Sequence, residues 1–101
     1  MDRRVVWSPE AADDLEEIVT YIARDSGFYA RAVASKLLTT AESLAEFPEI
    51  GPIVPEARDN SIRERFVHSY RLIYKVEAHR ILILAIVHGK RLLNEIEERM
   101  K

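Results

Sequence analysis

The chain has 101 residues, 48% of them apolar and 32% charged, a composition that suits one water-soluble globular domain over residues 1–101. It contains no cysteine, which excludes a disulfide framework and thiolate metal ligation. The net charge of −2 conceals an asymmetry: residues 58–101 hold ten Lys/Arg against six Asp/Glu, and residues 1–57 five against eleven, so the basic half suggests a surface for an anionic partner.

Residues 3–7, "RRVVW", are β-branched and aromatic and predict a strand. Ser8 then caps a helix that has Pro9 at its first position and Glu10, Asp13 and Asp14 near its positive end. Leu15, Ile18, Val19 and Ile22 give it one apolar face. "DSG" at 25–27 is expected to stop it, with Gly27 free to take a positive φ. A second helix is expected from Tyr29 to Phe47, with Ala30, Val33, Leu37, Ala41 and Leu44 on one stripe and Pro48 ending it. The short break makes the two helices an antiparallel hairpin.

Residues 48–61, with three prolines and one glycine, read as a loop. Strands are expected at 62–68, 70–76 and 80–88. In the second, Tyr70, Leu72, Tyr74 and Val76 alternate with Arg71, Ile73 and Lys75. The third is apolar on both faces, as a central strand should be. "KRLLNEIEERMK" suits a closing helix, with Leu92, Leu93, Ile96 and Met100 as its apolar positions. The expected fold class is α+β, in the order β-α-α-β-β-β with that helix as an optional last element. The helical hairpin should cover one face of a small, mainly antiparallel sheet and leave the other partly open. The start of the chain lacks the long apolar core of a signal peptide, and the longest apolar run, Ile81 to Val87, is too short to cross a bilayer. A cytoplasmic location without membrane association is expected.

"HSYRLIYKV" at 68–76 and "ILILAIVHGKR" at 81–91 join apolar strands to basic residues and a histidine. Arg71, in mid-strand, must reach solvent or an anion, because an unpaired buried charge is very costly. Arg63, Arg65, Arg71 and Arg91, with Lys90 beside the last, converge on the open face if the strands pair as neighbours, and guanidinium groups bind phosphate or carboxylate. The alternative is that each pairs with a local acid such as Glu64. His88 suits proton transfer, having an ordinary pKa near ~6.5, or caps a backbone group. His68 and His79 fall in expected exposed turns. The histidine spacing makes no metal motif, no phosphate-binding loop is present, and neither metal nor cofactor is expected. Asp13, Asp14 and Glu17 read as a solvated helix face, and Trp7 and Tyr21 as core or boundary aromatics.

The order of elements, "WSPEAADDLEEIVTYI" at 7–22, "FPEIG" at 47–51, "RERFVHSYRLIYKV" at 63–76 and "ILAIVHGKR" at 83–91 resemble the RelE/ParE superfamily of toxins from type II toxin–antitoxin modules, many of them plasmid-stabilisation proteins. The resemblance covers nearly the whole chain. It implies growth arrest by one of two activities on one fold: poisoning of DNA gyrase in ParE-like members, or ribosome-dependent cleavage of mRNA in RelE-like members. It also implies a small cognate antitoxin as partner. Arg71 matches the arginine of the Y-R motif and Arg91 the arginine after the last strand, which stabilise the scissile phosphate in nuclease members. Arg63 and Arg65 fall near basic positions of the preceding strand. The sequence departs from RelE-like enzymes in lacking a C-terminal tyrosine; Glu97 stands near that place, and His88 is the candidate substitute for proton transfer. The long hairpin and "YRLIY" are closer to ParE-like members. Inhibition of gyrase is therefore the expected activity, with the ribosome-dependent endoribonuclease as the alternative.

Overall fold

The computed structural model describes residues 3–89 and 93–101. Strand β1 (Arg4–Trp7) leads directly into helix α1 (Pro9–Ala23). The Ser8 hydroxyl accepts the Ala11 amide at 3.1 Å, so the expected cap and proline start are both in place. Ala11 and Ile22 are buried, and Leu15, Ile18 and Val19 pack partly buried against the same core.

The break between helices works differently from the expected glycine stop. Ser26 caps the second helix, its hydroxyl accepting the Tyr29 amide at 3.0 Å, and Gly27 is the first residue of α2 (Gly27–Ser43). No described glycine has a positive φ. A hydroxyl that satisfies an orphan amide starts the helix earlier than the glycine would suggest. At the other end α2 stops at Ser43, four residues short of Phe47. The stripe itself forms as expected, with Ala30, Val33, Leu37, Ala41 and Leu44 all buried. Each such larger aliphatic side chain contributes about 1.5–3 kcal/mol when fully buried.

Strands β2 (Ile62–Val67), β3 (Tyr70–Val76) and β4 (Arg80–His88) complete a mixed sheet in the order β1-β4-β3-β2. β1 runs parallel to β4, and β2–β3 and β3–β4 are antiparallel. A two-residue turn at His68 and Ser69, with His68 at φ 53°, joins β2 to β3. An irregularity opposite Ile73 and Tyr74, which pair with Ala85 and Ile83, leaves Leu84 as an extra residue in β4. Ile81, Ile83 and Ile86 consequently join the core under the helices, while Leu84, Ala85 and Val87 join a second core on the opposite face.

That opposite face, expected to be partly open, is covered over most of its apolar residues, although Phe66 on it stays 60% exposed. Val54 from the long loop and Ile96 and Met100 from a 3₁₀ segment, Leu93–Met100, cover Ile62, Ile73 and Val87. The C-terminal residues form this 3₁₀ segment in place of the expected α-helix; Leu92, assigned to its apolar side, lies outside the described residues. Asp14 on α1 helps to hold the segment. Its carboxylate accepts the Ile86 amide at 3.0 Å and an Arg99 N–H at 2.6 Å, so it is not the purely solvated group expected from the helix pattern. Among the described residues no helix is long and apolar enough to cross a membrane.

Candidate functional site

The register of β2 against β3 decides where the arginines go. Arg63 stands opposite Tyr74 and Arg65 opposite Leu72, on the face that carries the helices. Arg71 stands opposite Phe66 and Val87, on the other face. The expected convergence of Arg63, Arg65 and Arg71 therefore does not occur. Lys90 and Arg91 lie outside the described residues.

Arg71 is 7% exposed and Glu64 6%. The Arg71 Nε–H donates to Glu64 Oε1 at 2.6 Å, and a second guanidinium nitrogen reaches the same oxygen. Another guanidinium nitrogen is 3.5 Å from Glu56, in a 3₁₀ turn at Pro55–Ala57, and the Phe66 ring lies 5.9 Å from the guanidinium carbon. The anion that Arg71 requires is thus supplied within the chain.

Arg63 is also engaged, donating to the carbonyls of Gly51 at 2.8 Å and Glu49 at 3.2 Å. Tyr74 completes this clamp on the loop: its hydroxyl donates to the Pro48 carbonyl at 2.8 Å and accepts the Gly51 amide at 3.1 Å. Burial pushes the Tyr74 phenol above the ordinary tyrosine range. Gly51 is required by close approach, since a Cβ there would lie 2.1 Å from the Glu64 carbonyl oxygen. Arg65 is half-exposed, and no described carboxylate forms an ion pair with it.

His88 ends β4 on the helix-bearing face, exposed, with its ring edge-on to Tyr70 at 5.8 Å. His68 stands similarly against Tyr29 at 6.0 Å. Tyr21, Tyr29 and Tyr70 thereby gather at one end of the molecule with the two histidines. Burial raises the Tyr70 phenol, and the hydroxyls of Tyr29 and Tyr21 push it the same way. Trp7 packs against the core as expected, but Tyr21 is 66% exposed and is no boundary aromatic. The tyrosine group escaped sequence reasoning because its members come from α1, α2 and β3. Among the described residues no group of three His, Asp or Glu is placed to share a metal ion.

The chain is thus an α+β protein, a two-helix hairpin laid on a mixed four-stranded sheet, with a basic second half. A family model described as "ParE toxin of type II toxin-antitoxin system, parDE" matches residues 5–93, and the chain belongs to this family. Toxin RelE2 of Caulobacter vibrioides is 37% identical over 90 residues, covering 88% of this chain and 98% of that protein. A solved structure described as the chromosomal ParDE toxin–antitoxin system from P. aeruginosa matches with a TM-score of 0.73 and 19% identity, over 87% of this chain and 97% of that chain. The YoeB dimer from Staphylococcus aureus matches with a TM-score of 0.59 and 18% identity, over 84% of this chain and 94% of that chain. These two structures share the α+β fold expected from the sequence. Family membership implies a cognate antitoxin as partner.

Proposed function

We propose that this toxin arrests growth by binding and inhibiting DNA gyrase in the cytoplasm, and that it is not a nuclease. The observation that carries this reading is the separation of Arg71 from His88. Tyr70 stands opposite His88 and Arg71 opposite Val87, so the guanidinium and the imidazole occupy opposite faces of the sheet. Cleavage of RNA through its own 2′-hydroxyl needs a base for that hydroxyl, positive charge on the phosphorane and an acid to protonate the leaving 5′-oxygen. Arginine, which stays protonated in proteins, supplies the charge and does not carry the proton. Here Arg71 is occupied by Glu64 and Glu56, on the face of the sheet away from the one histidine proposed for proton transfer. A gyrase inhibitor needs only a complementary surface. The match to the ParE family supports the same reading. Arg65, Lys90 and Arg91 are the basic residues proposed to contact the target, since Arg63 and Arg71 are held within the chain.

The alternative, a ribosome-dependent mRNA endoribonuclease acting through His88 and Arg91, is favoured by the relative named RelE2. Mapping mRNA ends in arrested cells separates the two. The gyrase reading expects no new codon-phased ends. Such ends, abolished by His88→Ala in a folded protein, would replace it with the nuclease.

A further inference from the structure

Tyr21 on α1, Tyr29 on α2 and Tyr70 on β3 line one cavity of about 380 Å³, together with Asp25 and His88. Tyr21 is 66% exposed and Tyr29 47%, so the fold gains little from burying either ring. The cavity continues along α1. An adjoining depression of about 240 Å³ shares Tyr21, Tyr70 and His88 and adds Glu17, beside Asp14, which Arg99 already pairs. A third, of about 580 Å³, shares Tyr21 and Glu17 and adds Asp13 and Glu16, with Arg24 as the basic residue in its described lining. Aromatic rings present negative faces, and carboxylates add net negative charge beside them. The α1 side of this groove is thus predominantly acidic, while Tyr70 and His88 reach it from the second half of the chain.

We propose that the tyrosine cavity receives an arginine side chain from a protein partner, with the flanking residues of that partner lying along the acidic face of α1. The planar, weakly hydrated guanidinium stacks on tyrosine faces and pairs with a carboxylate such as Asp25 better than a compact ammonium does. The carboxylates disfavour nucleic acid, whose phosphates they would repel. The depressions that extend from the cavity fit a peptide segment, which a small free cation would leave unfilled. The proposal goes beyond the choice between gyrase and mRNA and stands whichever is the target.

The test is a titration of the isotope-labelled full-length toxin, followed by NMR, with the peptide acetyl-Gly-Leu-Arg-Leu-Gly-amide. Its citrulline counterpart, which is neutral at the same shape, and spermidine serve as the other probes. The arginine peptide is expected to give saturable shifts at Tyr21, Tyr29 and Tyr70, with a dissociation constant about tenfold below that of the citrulline peptide. Tyr21→Ala and Asp25→Asn, both at exposed positions, should each weaken it by about tenfold while the remaining spectrum is unchanged. Equal binding of the citrulline peptide, or no saturable shift at the tyrosines, overturns the proposal. Spermidine saturating the same resonances at lower concentration than the arginine peptide would assign the cavity to a free polyamine and overturn the protein partner.

Discussion

Arg71 and Glu64 are diagonal neighbours on β3 and β2. Phe66 stands directly opposite Arg71, and Glu64, two residues earlier on the same face, accepts the Arg71 Nε–H at 2.6 Å. Both side chains are buried, and Glu56 from the covering loop closes on the same guanidinium at 3.5 Å. The pair fastens the loop over the second core while keeping two charges from being buried alone.

Removing one partner leaves the other charge buried without compensation. Arg71→Ala should lower the stability measured by urea unfolding by about 3–5 kcal/mol. Replacing both residues with methionine should recover most of that loss, because a well-packed apolar pair of similar volume tolerates the site. An Arg71→Ala protein as stable as the parent would mean that the guanidinium is not held as described. Toxicity restored by the double methionine variant would place the role of Arg71 in folding.

Asp14 ties three segments together: α1, the β4 backbone at Ile86 and the C-terminal segment through Arg99. Asp14→Ala leaves the part-buried Ile86 amide without its acceptor and Arg99 with the Leu84 carbonyl alone, which costs about 1–3 kcal/mol. Hydrogen exchange should accelerate at the Ile86 amide and across residues 96–100 before it does in α2. Glu17→Ala, on the exposed side of the same helix, is the control and should stay within about 0.5 kcal/mol of the parent. Unchanged exchange at Ile86 in Asp14→Ala would show that the tie is dispensable.

Tyr74 gives the stability an alkaline limit. Its phenol is raised in the folded protein, so the folded state retains a proton that the unfolded state releases. The contribution is fully present below the unfolded tyrosine pKa near ~10 and is lost as pH rises through the folded value. Unfolding free energies measured from pH 8 upward should fall more steeply above pH ~10 in the parent than in Tyr74→Phe. At pH 8 the same variant should be less stable by about 1–3 kcal/mol, having left the Gly51 amide without its acceptor. Parallel pH profiles would contradict this account of Tyr74.

Much of the fold is legible in the sequence because it rests on local pattern. The apolar stripe of α2 and the double-sided apolar run of β4 both follow from side-chain period alone. The faces of the arginines were not legible, for a specific reason. The two-residue turn at His68 and Ser69 pairs Val67 with Tyr70, so odd-numbered residues of β2 share a face with even-numbered residues of β3. Arg63 and Arg65 are thereby separated from Arg71, and a one-residue slip would have reversed the outcome. The cover on the second face was hidden for a different reason. The loop that supplies Val54 has no period, and its prolines and charges read as solvent-facing. The tyrosine cavity depends on three elements meeting and has no signature in any one of them.

Supercoiling of relaxed plasmid by purified gyrase in the presence of purified toxin tests the proposed target itself. Inhibition is expected to rise with toxin concentration, disappear when the cognate antitoxin is added, and persist in a folded His88→Ala variant. Undiminished supercoiling at toxin concentrations that stop growth would contradict it.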